Sequence, residues 1–198
     1  MARAKTARKS DTPVNPPPET VNPPANASTV EKPEKYVPSL GAQVTLPEIA
    51  ASLSLPAGFT SEFKDGMYNL KFNYEKDPSL KDKLHGSIAR VKTPPIERGK
   101  LIDLSVESLL NKYSGRVSAW GTQAQRSEEF EGNPRPCILL IECRVNNKPG
   151  DLKIQQYLIW IDEYTYVITF SYPAPKEGEK GAYFPVFDES VMSFSVMR

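Results

Sequence analysis

Residue types that do chemistry are sparse in this chain. Its one histidine, His85, stands beside Gly86 in KLHGSIARVKT. A metal site needs clustered imidazole, thiolate or carboxylate ligands, and none lie near His85 in sequence, so it reads as a structural side chain. The two cysteines, Cys137 and Cys143, sit six apart in PCILLIECRV. If that run is one strand, its rise of about 3.3 Å per residue holds their α-carbons roughly 20 Å apart, beyond disulfide reach. Both are expected to be buried thiols, in keeping with a reducing compartment. With a single histidine and no G-x-S-x-G elbow, nucleophilic Cys–His or Ser–His pairs have few candidates.

Carboxylates cluster at Glu128, Glu129 and Glu131, and again at Asp162-Glu163. General-acid chemistry needs a carboxyl whose pKa is raised in an apolar cleft, and these sets fall at turns or strand ends. No G-x-x-x-x-G-K-[ST] or G-x-G-x-x-G string cradles a phosphate. The chain is expected to be no enzyme, with no catalytic residue, no metal and no cofactor.

Formal charge is +1, yet the first ten residues carry Arg3, Lys5, Arg8 and Lys9 with no acid. Without interleaved aromatics this basic tip reads as solvated tail, and no nucleic-acid partner is expected. No run of eighteen apolar residues predicts a transmembrane segment. The basic start leads into Asp-Thr-Pro rather than an apolar stretch, so as written the chain is expected in the cytoplasm. A removed leader would place it instead in an envelope, a periplasm or a thylakoid lumen. The sequon Asn26-Ala27-Ser28 is too common by chance to decide.

Eight of the nineteen prolines lie in residues 1–45, which hold almost no large apolar side chains. Such a segment cannot offset its ordering entropy, so residues 1–45 are expected to be a disordered proline-rich tail, dispensable for folding. Residues 46–198 are then a single globular domain, of a size that supports one core.

Periodicity supplies the elements. LPEIAASLSLPAGF admits a helical turn or an edge strand. GMYNLKFNYE alternates, with Tyr68, Leu70, Phe72 and Tyr74 on one side. After the turn KDPSLKD, a second strand follows with Leu84, Ile88 and Val91 as its apolar points. In DLSVESLLNKYSG the period becomes helical, with Val106, Leu109, Leu110 and Tyr113 on one stripe; Asp103 or Ser105 is its expected cap and Gly115 its end. Next come a strand from Trp120, a turn at Gly132-Asn133-Pro134, and a central strand from Cys137 to Cys143, apolar on both faces. DLKIQQYLIWI and YTYVITFSY form a hairpin reversing at Asp162-Glu163, with Tyr166, Ile168 and Phe170 on the core face and Val167, Thr169 and Ser171 opposite. Phe184, Phe187, Val191 and Phe194 recur at helical spacing in a last helix, with Pro185 in its first turn. The fold class is α+β, an antiparallel β-sheet flanked by helices.

From about Arg126 onward the chain resembles the PsbP-like and DcrB-like family, whose relatives include the Ran-binding nuclear import factor and the effector chaperones of type VI secretion. EFEGNPRPCILLIECRV is similar to the family's strand–turn–strand, LKIQQYLIWIDEYTYVITFSYPAP to its hairpin, and YFPVFDESVMSFSV to its terminal helix. The resemblance implies an α-β-α sandwich without catalytic residues or a common cofactor, acting as a binding module.

The expected function is a non-enzymatic protein-binding, assembly or chaperone module with one protein partner. The alternative is a small-ligand or lipid carrier with its pocket between sheet and helix. Tyr and Trp crowd the sheet beyond what a small core requires. The partner site is expected at Gln155 and Tyr157, where polar and aromatic residues alternate with buried Ile154 and Leu158.

Overall fold

A computed structural model describes residues 36–75, 77–94, 97–125, 129–130, 133–134, 137–146, 150–176 and 181–197. Its elements, in chain order, are β1 (Leu40–Leu46), β2 (Ala51–Pro56), β3 (Phe59–Lys64), β4 (Met67–Phe72), β5 (His85–Lys92), α1 (Arg98–Lys112), β6 (Val117–Gln125), β7 (Glu129–Phe130), β8 (Asn133–Pro134), β9 (Cys137–Val145), β10 (Leu152–Ile161), β11 (Tyr164–Pro173), α2 (Tyr183–Met192) and β12 (Ser195–Val196). Seven strands form one antiparallel sheet in the order β3-β4-β5-β11-β10-β9-β6, and β1-β2-β12 form a smaller one. The class is α+β, as the alternating and helical periods predict.

Tight reversals set the registers. β10 and β11 pair from Ile161↔Tyr164 to Leu152↔Pro173, so the turn is the two residues Asp162-Glu163. Asp162 takes a left-handed φ of 53°, which a short polar side chain tolerates. Asp65 and Gly66 (φ 54° and 80°) turn β3 into β4, the conformation a two-residue hairpin needs to match strand twist.

The seven-stranded sheet is covered on both faces. On one, Tyr68, Leu70, Phe72, Ile88, Leu140, Tyr157, Ile159, Tyr166, Ile168, Phe170 and Tyr172 join Phe187 and Val191 of α2 and the buried residues of β2 in a single core. On the other, Leu109 and Tyr113 of α1 pack on Ile141, Cys143, Val145, Leu152, Ile154 and Leu158. This second cluster draws on β9, β10 and β11 but on no residue of β3, β4 or β5. The layers are therefore α1, the large sheet, and then α2 with the small sheet.

Serines pin α2. Ser190 Oγ donates to the Ser54 carbonyl at 2.6 Å, and the Ser54 N–H donates to Ser193 Oγ at 2.7 Å. These bonds satisfy β2 backbone groups that its neighbouring strands leave over.

Four expectations need correction. The domain starts before residue 46: β1 spans Leu40–Leu46, and Tyr36 packs on Phe72 with ring centroids 4.6 Å apart while its hydroxyl donates to the Ala57 carbonyl. The other part of the expected tail, residues 1–35, lies outside the described residues. α1 starts at Arg98, so Asp103 and Ser105 are interior positions rather than caps. Its stripe already includes Ile102, one turn ahead of Val106. Asn133 and Pro134, expected in a turn, form β8, paired with β7, and Gly132 lies outside the described residues. Val91 is exposed, because it faces away from Ile88.

LPEIAASLSLPAGF combines both alternatives, a 3-10 turn at Pro47–Ile49 and β2, although β2 is the middle strand of its sheet and not an edge. Cys137 and Cys143 share β9, and Cys143 is a buried free thiol. No helix among the described residues is long and apolar enough to cross a membrane.

Candidate functional site

Three strand segments meet in an open corner of the α2-side face. A recess of about 360 Å³ lies there, lined by Ala119 and Gly121 of β6, Glu142 and Arg144 of β9, Lys153 of β10, and Ala174-Pro175 after β11. Register explains the convergence. Gly121 lies opposite Glu142, Ala119 opposite Arg144, and Arg144 opposite Lys153, so their side chains leave one face together. β6 is the last strand of the sheet, and its small residues leave this corner open.

Charge pairs hold the corner in shape. Arg144 donates from Nε and Nη2 to Asp151 Oδ2, at 3.1 and 3.0 Å, and from Nη1 to the Pro175 carbonyl at 3.3 Å. This ties the chain after β11 to the end of β9. Lys153 Nζ sits 2.6 Å from Glu142 Oε1 and 5.6 Å from the Phe184 ring centroid of α2.

Behind the recess lies a buried polar layer. Gln155, opposite Glu142 in register, is fully buried, and its Nε2 donates to the Tyr157 hydroxyl at 3.2 Å. Burial pushes the Tyr157 hydroxyl far above its ordinary pKa, and the negative charges of Asp188 and Glu142 push it the same way. Tyr172 is raised by burial and then by Glu142. Both phenols are held neutral.

These positions correct the expected partner site. Gln155 and Tyr157 are 0% exposed, so no partner touches them at the surface. The reason is register: Gln155 lies directly opposite Phe170 and Tyr157 opposite Ile168, which puts both on the core face. The accessible residues in their vicinity are Lys153 and Glu142, which sequence reasoning missed. A signal was present in charges spaced by two, Glu142 and Arg144 before the turn and Asp151 and Lys153 after it, in otherwise apolar strands.

His85 lies elsewhere. It borders a second recess, about 420 Å³, with Glu62, Lys64, Asp65, Asn69 and Lys71. Burial lowers its pKa, with Lys112 acting in the same sense, so the neutral imidazole is favoured. Burial also raises the Cys143 thiol to about 11, which leaves it unreactive. Asp162 and Glu163 are exposed in their turn, and no group of three or more metal-ligating side chains is found among the described residues. Side chains at Glu128, Glu129 and Glu131 lie outside the description.

The architecture is that of a known class. The solution structure of cyanobacterial PsbP (CyanoP) from Synechocystis matches at a TM-score of 0.52 and 11% identity, over 78% of this chain and 91% of that one. A crystal structure of a protein from Bacteroides thetaiotaomicron matches at a TM-score of 0.50 and 9% identity, over 80% of this chain and 49% of that one. The chain thus spans about half the length of that Bacteroides relative. No family model matches the chain, and no curated protein matches its sequence. At such identities the likeness establishes the fold: it is PsbP-like.

Proposed function

We propose that this chain is a non-enzymatic protein-binding module, of an assembly or chaperone kind, that seats one partner segment in the recess between Gly121, Glu142, Lys153 and Pro175. The observation carrying this reading is the recess itself. It is an open, partly charged concavity on a rigid sheet corner, next to an edge strand, with small side chains forming its walls. Binding sites take this form when a few placed polar groups orient a ligand against fixed walls. The resemblance to the PsbP-like and DcrB-like family, whose members act as binding modules, supports the same reading. The inert Cys143, which borders the recess, and the neutral His85, which borders a different one, give catalysis no support.

A carrier with its ligand between sheet and α2 has less support. Phe170 and Phe187 fill that layer ring on ring, and Phe59 closes on both.

Gly121 supplies the test. A Cβ added there meets nothing within 4 Å and points into the open corner, so Gly121→Trp is the variant that obstructs the recess. Affinity capture from the source cells, followed by mass spectrometry, should recover a partner with the wild-type protein and lose it with Gly121→Trp at unchanged Tm. A partner retained by Gly121→Trp would refute the reading.

A further inference from the structure

The two ends of the large sheet are guarded differently. β3, at one end, is six residues long, and its sequence FTSEFK carries Glu62 and Lys64, of which Glu62 is ion-paired with Lys71 of the next strand. Charges of this kind keep an edge from pairing with a foreign strand, which would have to desolvate them. β6, at the other end, is nine residues long. Its one irregularity in register lies at its start, between Val117 and Ala119, and from Ala119 to Gln125 every residue has its antiparallel counterpart in β9. That run, AWGTQAQ, holds neither a charge nor a proline. Among the described residues no strand pairs with its outer side, so every second residue of the run turns both its N–H and its C=O away from the sheet.

The recess adjoins this edge. Ala119 and Gly121 face it from opposite Arg144 and Glu142, and both are exposed. A Cβ added at Gly121 meets nothing within 4 Å. Small residues at two successive positions on one face of an edge strand leave a gap in the side-chain layer that a neighbouring strand fills with a large side chain. An edge glycine in particular is covered by an aromatic ring from the strand beside it.

We infer, on the reading that the recess is the partner site, that the partner segment enters it as a β-strand. An extended stretch of the partner pairs with the free edge of β6 over Ala119–Gln125, and a phenylalanine, tyrosine or tryptophan of that stretch lies across Gly121 into the recess. Main-chain hydrogen bonds hold the added strand, and the pocket for one alternate side chain selects it. The Lys153 stem and Pro175, on the far side of the recess, give the ring apolar surface to lie against.

A phage-displayed library of random peptides is the probe, selected on the full chain and counter-selected on Gly121→Trp, whose indole takes the place of the incoming ring. The selected peptides should share an aromatic residue and bind with a Kd of about 10–100 μM. Bound to the ¹⁵N-labelled chain, such a peptide should slow hydrogen exchange about tenfold or more at every second amide from Ala119 to Gln125, while the intervening amides, already bonded to β9, change little. Alanine in place of the peptide's aromatic residue should weaken binding about tenfold or more. The inference is overturned if no peptide is selected, if the protected amides lie in β3, or if protection in β6 does not alternate. It is overturned equally if the free chain already protects the alternate set, which would give the edge to a second copy. These outcomes remove the added strand and leave Gly121-dependent partner capture standing; loss of that dependence removes the partner reading itself.

Discussion

Phe170 of β11 and Phe187 of α2 lie ring on ring, with centroids 4.3 Å apart and planes within 3° of parallel. This contact joins helix to sheet at the middle of the larger core. Tyr172 packs beside Phe187 at 5.3 Å, and Phe59 meets both phenylalanines edge-on. The aromatic abundance of this chain is therefore spent on the interior, and the accessible chemistry lies at the sheet corner.

Phe170→Ala should accordingly cost about 3–5 kcal/mol, since it removes a fully buried ring and leaves a cavity against α2. Thr169, on the opposite face, is half-buried and accepts a hydrogen bond from Gln156 Nε2 at 3.1 Å. Thr169→Ala should cost about 1 kcal/mol. Urea unfolding of the two variants checks the contrast, and equal losses would contradict it.

Stability should fall in alkali. Burial raises Cys143 from 9.0 to about 11 and Tyr183 from 10.0 to about 12, with Asp77 and Tyr36 adding to the latter. Below pH 9 both groups are protonated in either state, and their contribution is complete. Above it the unfolded chain releases protons that the fold retains, so stability drops by roughly 1.4 kcal/mol per pH unit for each group in its window. Calorimetry should find Tm level up to about pH 9 and falling more steeply above about pH 10. Cys143→Ala should flatten the first part of that fall. An unchanged slope in the variant would assign the loss to the tyrosines alone.

Truncation should discriminate where the fold begins. Deleting residues 1–45 removes all of β1 but Leu46, together with Tyr36, whose ring packs on Phe72 and whose hydroxyl bonds the Ala57 carbonyl at 2.7 Å. It should lower Tm by many degrees, and Tyr36→Ala alone should cost about 2–4 kcal/mol. A full-length Tm in the deletion would place Tyr36 and β1 outside the cooperative unit.

Much of this fold is legible because period is a local property. Tyr68, Leu70 and Phe72, like Tyr166, Ile168 and Phe170, alternate in sequence and are buried as their alternation predicts. The Asp65-Gly66 pair carried a hairpin signal that the strand reading passed over, and it turns β3 into β4. What stayed illegible is non-local. Tyr36 is held by Ala57 and Phe72, which no nearby pattern announces. Gln155 and Tyr157 read as an outer face only while α2 is thought to leave their face open; pairing with Phe170 and Ile168 puts them inside. The recess needs three registers at once, β6 to β9, β9 to β10 and β10 to β11, and none of them follows from composition.

The central claim is that a partner segment occupies the corner between β6 and β10. Photo-crosslinking tests it most directly, with a benzoylphenylalanine placed at Ala119 in the recess or, as control, at Thr60 on the far edge strand β3. Irradiation in the source cells should give one dominant adduct from position 119 and none of that mass from position 60. An adduct from position 60 with none from position 119 would contradict the account.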